Sequence, residues 1–300
     1  MINLQRAWRG FTPPETEQHR AERFNRDMAR REAGNFYWGF ISLGYHERMA
    51  IYALYNFARQ CDDEADTVGV ENLPERLAVH RARIARAVKG EPGDDPILRV
   101  LSEAIERYSI PAEELELLVD GVEMDYFHDR YRTFEDLKSY CNLVASVVGR
   151  MCVRIFGYSD PVALERADEL GLALQLTNIL RDVREDAVDM KRVYLPQEDL
   201  ERFGIPQSAL SNSEIVPGWS EFVAHHIART RTYFESGYHV LRYIPRRPAA
   251  CVHTMAGIYE ELLKKIERDP GLPLRERAAL SKTEKLRVVV RSWLSSVPVP

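Results

Sequence analysis

The sequence predicts an all-α fold, built as one domain of about ten or more helices. Three observations predict it. No stretch of the 300 residues alternates apolar and polar with period 2. Apolar residues instead recur at helical spacing between Gly- and Pro-containing breaks. No linker is long enough to divide the chain, so residues 1–300 read as a single all-α domain.

The elements follow in order. Residues 1–14 end in Pro13-Pro14 and read as an irregular N-terminal arm. A charged helix spans about 15–31. Phe36-Tyr37-Trp38-Gly39-Phe40 is an aromatic-dense break, suited to core packing or to an apolar ligand pocket. Helices follow over 46–66, 75–89, 97–108 and 112–129, the last starting after Pro111. Gly69 and Pro74 mark one turn between them, and Gly90 to Pro96 another. Glu123, Asp125 and Asp129 make an acidic cluster that reads as a solvated face. Thr133, with Asp136 three residues on, caps a long helix over 134–156 whose middle is rich in small residues. Asp160-Pro161 starts the next helix, which continues through the stretch 174–196. Short helices over 197–203 and 207–211 precede three longer ones over 218–242, 246–267 and 273–294.

Bulk numbers exclude several functions. A net charge of −5 argues against wholesale attraction to nucleic acid. The four cysteines form no CxxC pair, as expected of reduced thiols in the cytoplasm. The N-terminal MINLQRAWRGF lacks the apolar core of a signal peptide, and no run of about 18 apolar residues exists. The expectation is a cytoplasmic protein, with peripheral contact with a membrane left open. The chain lacks the GxxxxGK[ST], GxGxxG, HExxH and GxSxG patterns, so phosphate-loop, nicotinamide-binding, zinc and serine-hydrolase readings have no support.

Two acidic stripes carry the chemistry. In 174–196, LQLTNILRDVREDAVDMKRVYLP, the residues Gln175, Asn178, Asp182 and Asp186 share about one quarter of a helical circumference. In IYALYNFARQCDDEAD the residues Tyr55, Arg59, Asp62 and Asp66 do the same, with Asp63 beside them. Carboxylates at i, i+4 repel one another, and a hard divalent cation such as Mg²⁺ or Mn²⁺ relieves that. Two such stripes facing across a bundle could hold ions that bind a leaving diphosphate. Arg59, Arg181 and Arg192 lie near the stripes. Arg277, Lys282 and Lys285 form a C-terminal basic patch at helical spacing.

On these residues the chain resembles the squalene/phytoene synthase family, the head-to-head prenyl-diphosphate synthases, from about Phe36 to Lys285. A lone DxxxD is weak evidence. The combination of YxxxRxxDDxxD with QLxNILRDxxED…RxYLP is specific. The resemblance implies an isoprenoid-synthase-like bundle with a central apolar cavity, Mg²⁺ (or Mn²⁺) as cofactor and prenyl diphosphates as substrates. One substrate ionises, its allylic cation attacks the other, and a cyclopropylcarbinyl diphosphate forms. NADPH is required only where squalene is the final product. Products of this type feed carotenoid or hopanoid and sterol biosynthesis.

Carried over by position, Asp62, Asp63, Asp66, Asn178, Asp182 and Asp186 would hold metal. Tyr55, Arg59, Gln175, Arg181, Arg192, Arg277, Lys282 and Lys285 would contact diphosphate or order the site. Phe36, Phe40, Tyr140, Val144, Val148 and Tyr259 would line the pocket, where a dry aromatic wall protects a carbocation. Ala33-Gly34-Asn35 stands where relatives often carry serine before the aromatic pair, so any polar contact there falls to Asn35. One extra residue after Asp186 leaves Lys191 or Arg192 for the usual basic position. The first expectation is two farnesyl chains giving presqualene diphosphate or squalene, by likeness to bacterial members. The alternative is two geranylgeranyl chains giving phytoene. A terpene cyclase or head-to-tail prenyltransferase fits the LRDVRED…VYLP stretch less well. A non-catalytic family relative would be marked by loss of an aspartate, and all four are present.

Overall fold

Helix α9 (Val162–Arg181) is the axis of the structure, a computed structural model that describes residues 16–66, 72–127 and 130–295. The arm 1–14, the turn at Gly69 and Asp129 lie outside the described residues. Around α9 stand α8 (Val147–Phe156), α12 (Trp219–Gly237) and α13 (Arg246–Arg268). α3 (Tyr45–Asp66) and α6 (Ala112–Phe127) close the ring through their contacts with α8. An outer layer of α1 (Glu17–Glu32), α4 (Leu73–Val88) and α5 (Pro96–Tyr108) packs behind α3 and α6. The described residues contain no strand, only an isolated bridge between Arg130 and Val193.

Local chemistry starts these helices. Asp95 accepts hydrogen bonds from the backbone N–H of Ile97 and Leu98, with Pro96 at the first helical position. Thr133 and Asp136 form a reciprocal capping box that opens α7 (Phe134–Cys141). Apolar faces then bury: Leu98, Leu101, Leu118, Leu137, Met151, Leu176 and Phe234 are all 2% exposed or less. At about 1.5–3 kcal/mol for each large apolar side chain, this burial is what opposes the chain's conformational entropy.

Three expected helices are interrupted. The helix over 134–156 carries a π-turn, Asn142–Ser146, between α7 and α8. There Ser146 Oγ donates to the carbonyl of Asp168 at 2.8 Å, joining the turn to α9. Gly171 makes that approach fit, because a Cβ on it would lie 2.8 Å from the Ala145 carbonyl oxygen and 2.9 Å from Ser146 Cα. The 174–196 stretch is not one helix either. α9 stops at Arg181, Asp182 leaves helical geometry at φ −101°, and a π-turn spans Glu185–Met190. The third departure is 273–294. It divides into α14 (Leu272–Arg275) and α15 (Lys282–Ser295), with Glu276 extended between them. Ser281 starts α15 by exchanging hydrogen bonds with Glu284.

Candidate active site

The inward face of α3 forms one wall. The helix is buried through Ala53, Leu54 and Phe57, which fixes its rotation and turns Tyr55, Ala58, Arg59 and Asp62 to the interior. Tyr55 donates its hydroxyl to the Glu32 carbonyl at 2.8 Å, and burial pushes its pKa up to about 12. Asp63 sits 100° further round. It is exposed, pairs with Arg59 at 2.7 Å and does not line the interior, contrary to the metal-ligand expectation. The side chain of Asp66 lies outside the described residues.

The end of α9 forms the opposite wall. Asn178 donates to Gln175 Oε1 at 3.3 Å, while Asn178 Oδ1 is buried with no hydrogen-bond partner. Arg181, 7% exposed, donates Nε to Asp182 Oδ1 at 2.7 Å. Arg277 reaches the same carboxylate, Nε to Oδ1 at 2.9 Å, and pairs with Glu185 at 3.4 Å. Arg277 does so from the non-helical segment between α14 and α15, not from a helix face.

Past Asp182 the backbone keeps an Asp186 N–H to Asp182 carbonyl bond of 2.9 Å. It then turns through Lys191, at φ 55°, so that Arg192 N–H closes back on the Asp186 carbonyl. This turn sends the two candidate basic residues in different directions. Lys191 is exposed; Arg192 faces inward and pairs with Asp125 at 2.9 Å. Asp186 is crowded: burial, then the carboxylates of Asp182, Glu185 and Asp125, push its pKa up to about 8.

Asp125, on α6, is the residue that sequence reading missed. It is 8% exposed, so the solvated-face expectation is corrected for it. It accepts hydrogen bonds from Arg192 and from the Tyr194 hydroxyl at 2.8 Å. Its sequence signal was only its place in the acidic cluster; Glu123 of the same cluster pairs with Arg81.

Two chambers result. The polar one, about 380 Å³, lies between the walls and is lined by Asp62, Asp125, Asp182, Asp186 and the guanidinium groups of Arg59, Arg181, Arg192 and Arg277. The apolar one, about 340 Å³, runs inward along α3, α8 and α9, past Phe36, Phe40, Val144 and Val148. Arg59, Asp62, Val144, Gln175 and Asn178 border both. Tyr140 lines the polar chamber, not the apolar one, stacked 5.5 Å from Tyr194. Tyr259 lies behind Phe36, ring to ring at 5.7 Å, and its hydroxyl meets Arg181 and Asn178. Lys282 is exposed and lines neither chamber. Lys285 is half-buried, and Arg181 acts with burial to lower its pKa. Asn35 lines neither chamber.

The donor set suits a hard cation. It is all oxygen, it includes a buried amide oxygen without a partner, and its carboxylates crowd one another. Among the described residues no three ligand-type side chains already converge on one point. Asp62, Asp182, Asp186 and Asn178 would therefore hold Mg²⁺ together with water and phosphate oxygens.

A head that needs cations joined to a tail that needs a dry cavity is the shape these chambers complement. Comparison with known proteins points the same way. The squalene/phytoene synthase family model matches residues 29–284. The phytoene synthase of Mycobacterium tuberculosis is 32% identical over 288 residues, spanning 94% of this chain and 93% of its own length. The 15-cis-phytoene synthase of Synechococcus elongatus is 33% identical over 276 residues, 87% of this chain and 88% of its own. Among solved structures, a dehydrosqualene synthase in complex with ligand has a TM-score of 0.85 at 26% identity, covering 95% of this chain and 100% of that one. The squalene synthase HpnC from Alicyclobacillus acidocaldarius gives 0.78 at 27%, covering 85% and 95%. The chain belongs to the squalene/phytoene synthase family, prenyltransferase-type enzymes that join prenyl diphosphates head to head.

Proposed function

We propose that this chain condenses two geranylgeranyl diphosphates to phytoene. The carrying observation is the 32–33% identity, over most of both chains, to relatives named phytoene synthase, set on a site with adjoining polar and apolar chambers. This reverses the order of the sequence expectations, which put two farnesyl chains first. The farnesyl reading stands second, supported by the likeness to structures named dehydrosqualene and squalene synthase at 26–27% identity.

In this reading each residue has a task. Bound Mg²⁺ would neutralise charge on the departing diphosphate. Arg59, Arg181, Arg192 and Arg277 hold the diphosphates by charge-assisted hydrogen bonds. Gln175 and Asn178 mark the boundary where head gives way to tail. Phe36, Phe40 and Tyr55, whose rings lie 6.3 Å apart in two of their pairs, present π-faces to an allylic cation. The apolar chamber keeps water from capturing that cation.

The test is incubation of the purified protein with Mg²⁺ and either farnesyl or geranylgeranyl diphosphate, with and without NADPH. Lipids are read by mass spectrometry. A C40 product from the geranylgeranyl substrate is expected. A C30 product from farnesyl diphosphate alone would replace this reading with the second one, and head-to-tail products or none would overturn both.

A further inference from the structure

Helix α15 presents two opposite faces. Val288 and Ser292, 4% and 1% exposed, point into the protein, where α15 packs on α13. Val288 Cγ1 would lie 2.9 Å from a Cβ on Gly257. On the far side Leu286, Val290, Trp293 and Leu294 are 53%, 52%, 44% and 71% exposed. At helical rotation these four fall within about 100° of arc, centred almost opposite the buried pair. Lys282 borders the stripe on one side and Arg287 on the other; Lys285 turns toward Arg181, and Arg291, further round, pairs with Glu261 at 3.6 Å. The helix thus carries four cations and one acid, Glu284, on a chain whose net charge is −5.

We propose that α15 is an interfacial helix that seats the molecule on an anionic lipid surface. The apolar stripe would enter the boundary between headgroups and acyl chains, and the flanking cations would meet lipid phosphates. Charge selects lipid over a second copy of the chain. Two such stripes face to face would bring cationic borders against each other, whereas an anionic bilayer complements both borders at once. The position also has a use. α13 and α2 (Tyr37–Phe40), both in contact with α15, supply Phe40, Val252 and Met255 to the apolar chamber. The stripe therefore lies one helix layer from the cavity. That proximity gains its purpose from the prenyl-transfer reading, but the surface itself does not depend on it.

The test is flotation of the full chain with vesicles, without substrate. One set is phosphatidylcholine alone, and the other contains about 30 mol% phosphatidylglycerol as the anionic component. Binding to the anionic vesicles is expected, with loss in high salt. The V290E/L294E double variant replaces two exposed side chains, so its circular dichroism and its turnover of detergent-dispersed substrate should match the parent. Its partitioning should fall by at least about tenfold. K282E/R287E should lose the preference for anionic over neutral vesicles. Three outcomes would overturn the proposal: no binding of the parent to anionic vesicles, binding undiminished in V290E/L294E, or light scattering showing a parent dimer that V290E/L294E splits. None of them alters the reading of the prenyl site, which is assayed separately.

Discussion

Replacing Asp125 with asparagine keeps the shape of a buried side chain and removes its charge. The side chains of Asp125 and Arg192 are 10% and 13% exposed and meet at 2.9 Å, so solvent screens the pair little. At about 4 Å between charge centres and an effective dielectric of about 20, their attraction is roughly 4 kcal/mol. Desolvation of the two groups takes back a comparable fraction, leaving a coupling of about 2 kcal/mol, typical of a charge-assisted hydrogen bond. The assay is a double-mutant cycle of D125N, R192Q and the double variant, read by urea denaturation. Coupling of about 1–3 kcal/mol is expected, and additivity within about 0.5 kcal/mol would refute the reasoning. The same cycle has a kinetic arm. Without the Asp125 charge, Arg192 is no longer held toward the polar chamber, and KM for the prenyl diphosphate should rise about tenfold, equivalent to about 1.4 kcal/mol. A KM that moves only in R192Q would mean that Asp125 does not position Arg192.

Asp62→Asn and Asp182→Asn should each lower kcat by on the order of 10²–10³-fold with the fold intact, and full activity in either would remove that residue from the metal site. Gly171→Ala should cost about 1–3 kcal/mol in urea titration, because its Cβ would press on backbone atoms of Ala145 and Ser146 that cannot swing aside. An unchanged midpoint would contradict the close approach. Asp199 sets the acid limb of stability. Burial works to raise its carboxyl, but His226 at 3.5 Å and Arg229 at 2.6 Å outweigh it and hold the group well below the usual carboxylate range. Its contribution is therefore fully present above the unfolded pKa, near pH 4, and is lost as the pH falls below that. Asp199→Asn should flatten the fall in Tm between about pH 4 and pH 2, and parallel curves for parent and variant would rule this out.

How much of this was legible in the sequence depended on distance along the chain. The 4- and 3-residue steps from Tyr55 to Arg59 and Asp62 placed all three on one face, since a helix interior obeys its own period. Asp63 was misread because adjacency in sequence means a turn of 100° in a helix. The π-turns at Asn142–Ser146 and Glu185–Met190 were invisible: a shift of hydrogen bonding by one residue barely disturbs apolar spacing. Asp125 could not be told from a solvated acid, because its partner Arg192 lies 67 positions away. Arg277 was expected on a helix, yet it reaches Asp182, 95 positions back, from non-helical chain. The Ser281–Glu284 cap that starts α15 was readable and was overlooked. Tyr140 was carried over by position, through the family resemblance, to the pocket wall, but it lines the polar chamber, where its neighbours are Asp125 and Tyr194.

The glycines that border the apolar chamber limit how its width can change. A Cβ at Gly149 would lie 2.8 Å from the Ala167 carbonyl, and one at Gly171 as close to that of Ala145. At both places α8 or its preceding π-turn already touches α9 backbone to backbone, with no side chain left to trim. Along that seam the channel wall is thus fixed by main chain. The side chains of Cys152, Val153, Phe156 and Val240 also line it. A lineage adapting this scaffold to longer or shorter tails would have to change side chains such as these, because the seam at Gly149 and Gly171 leaves none to trim.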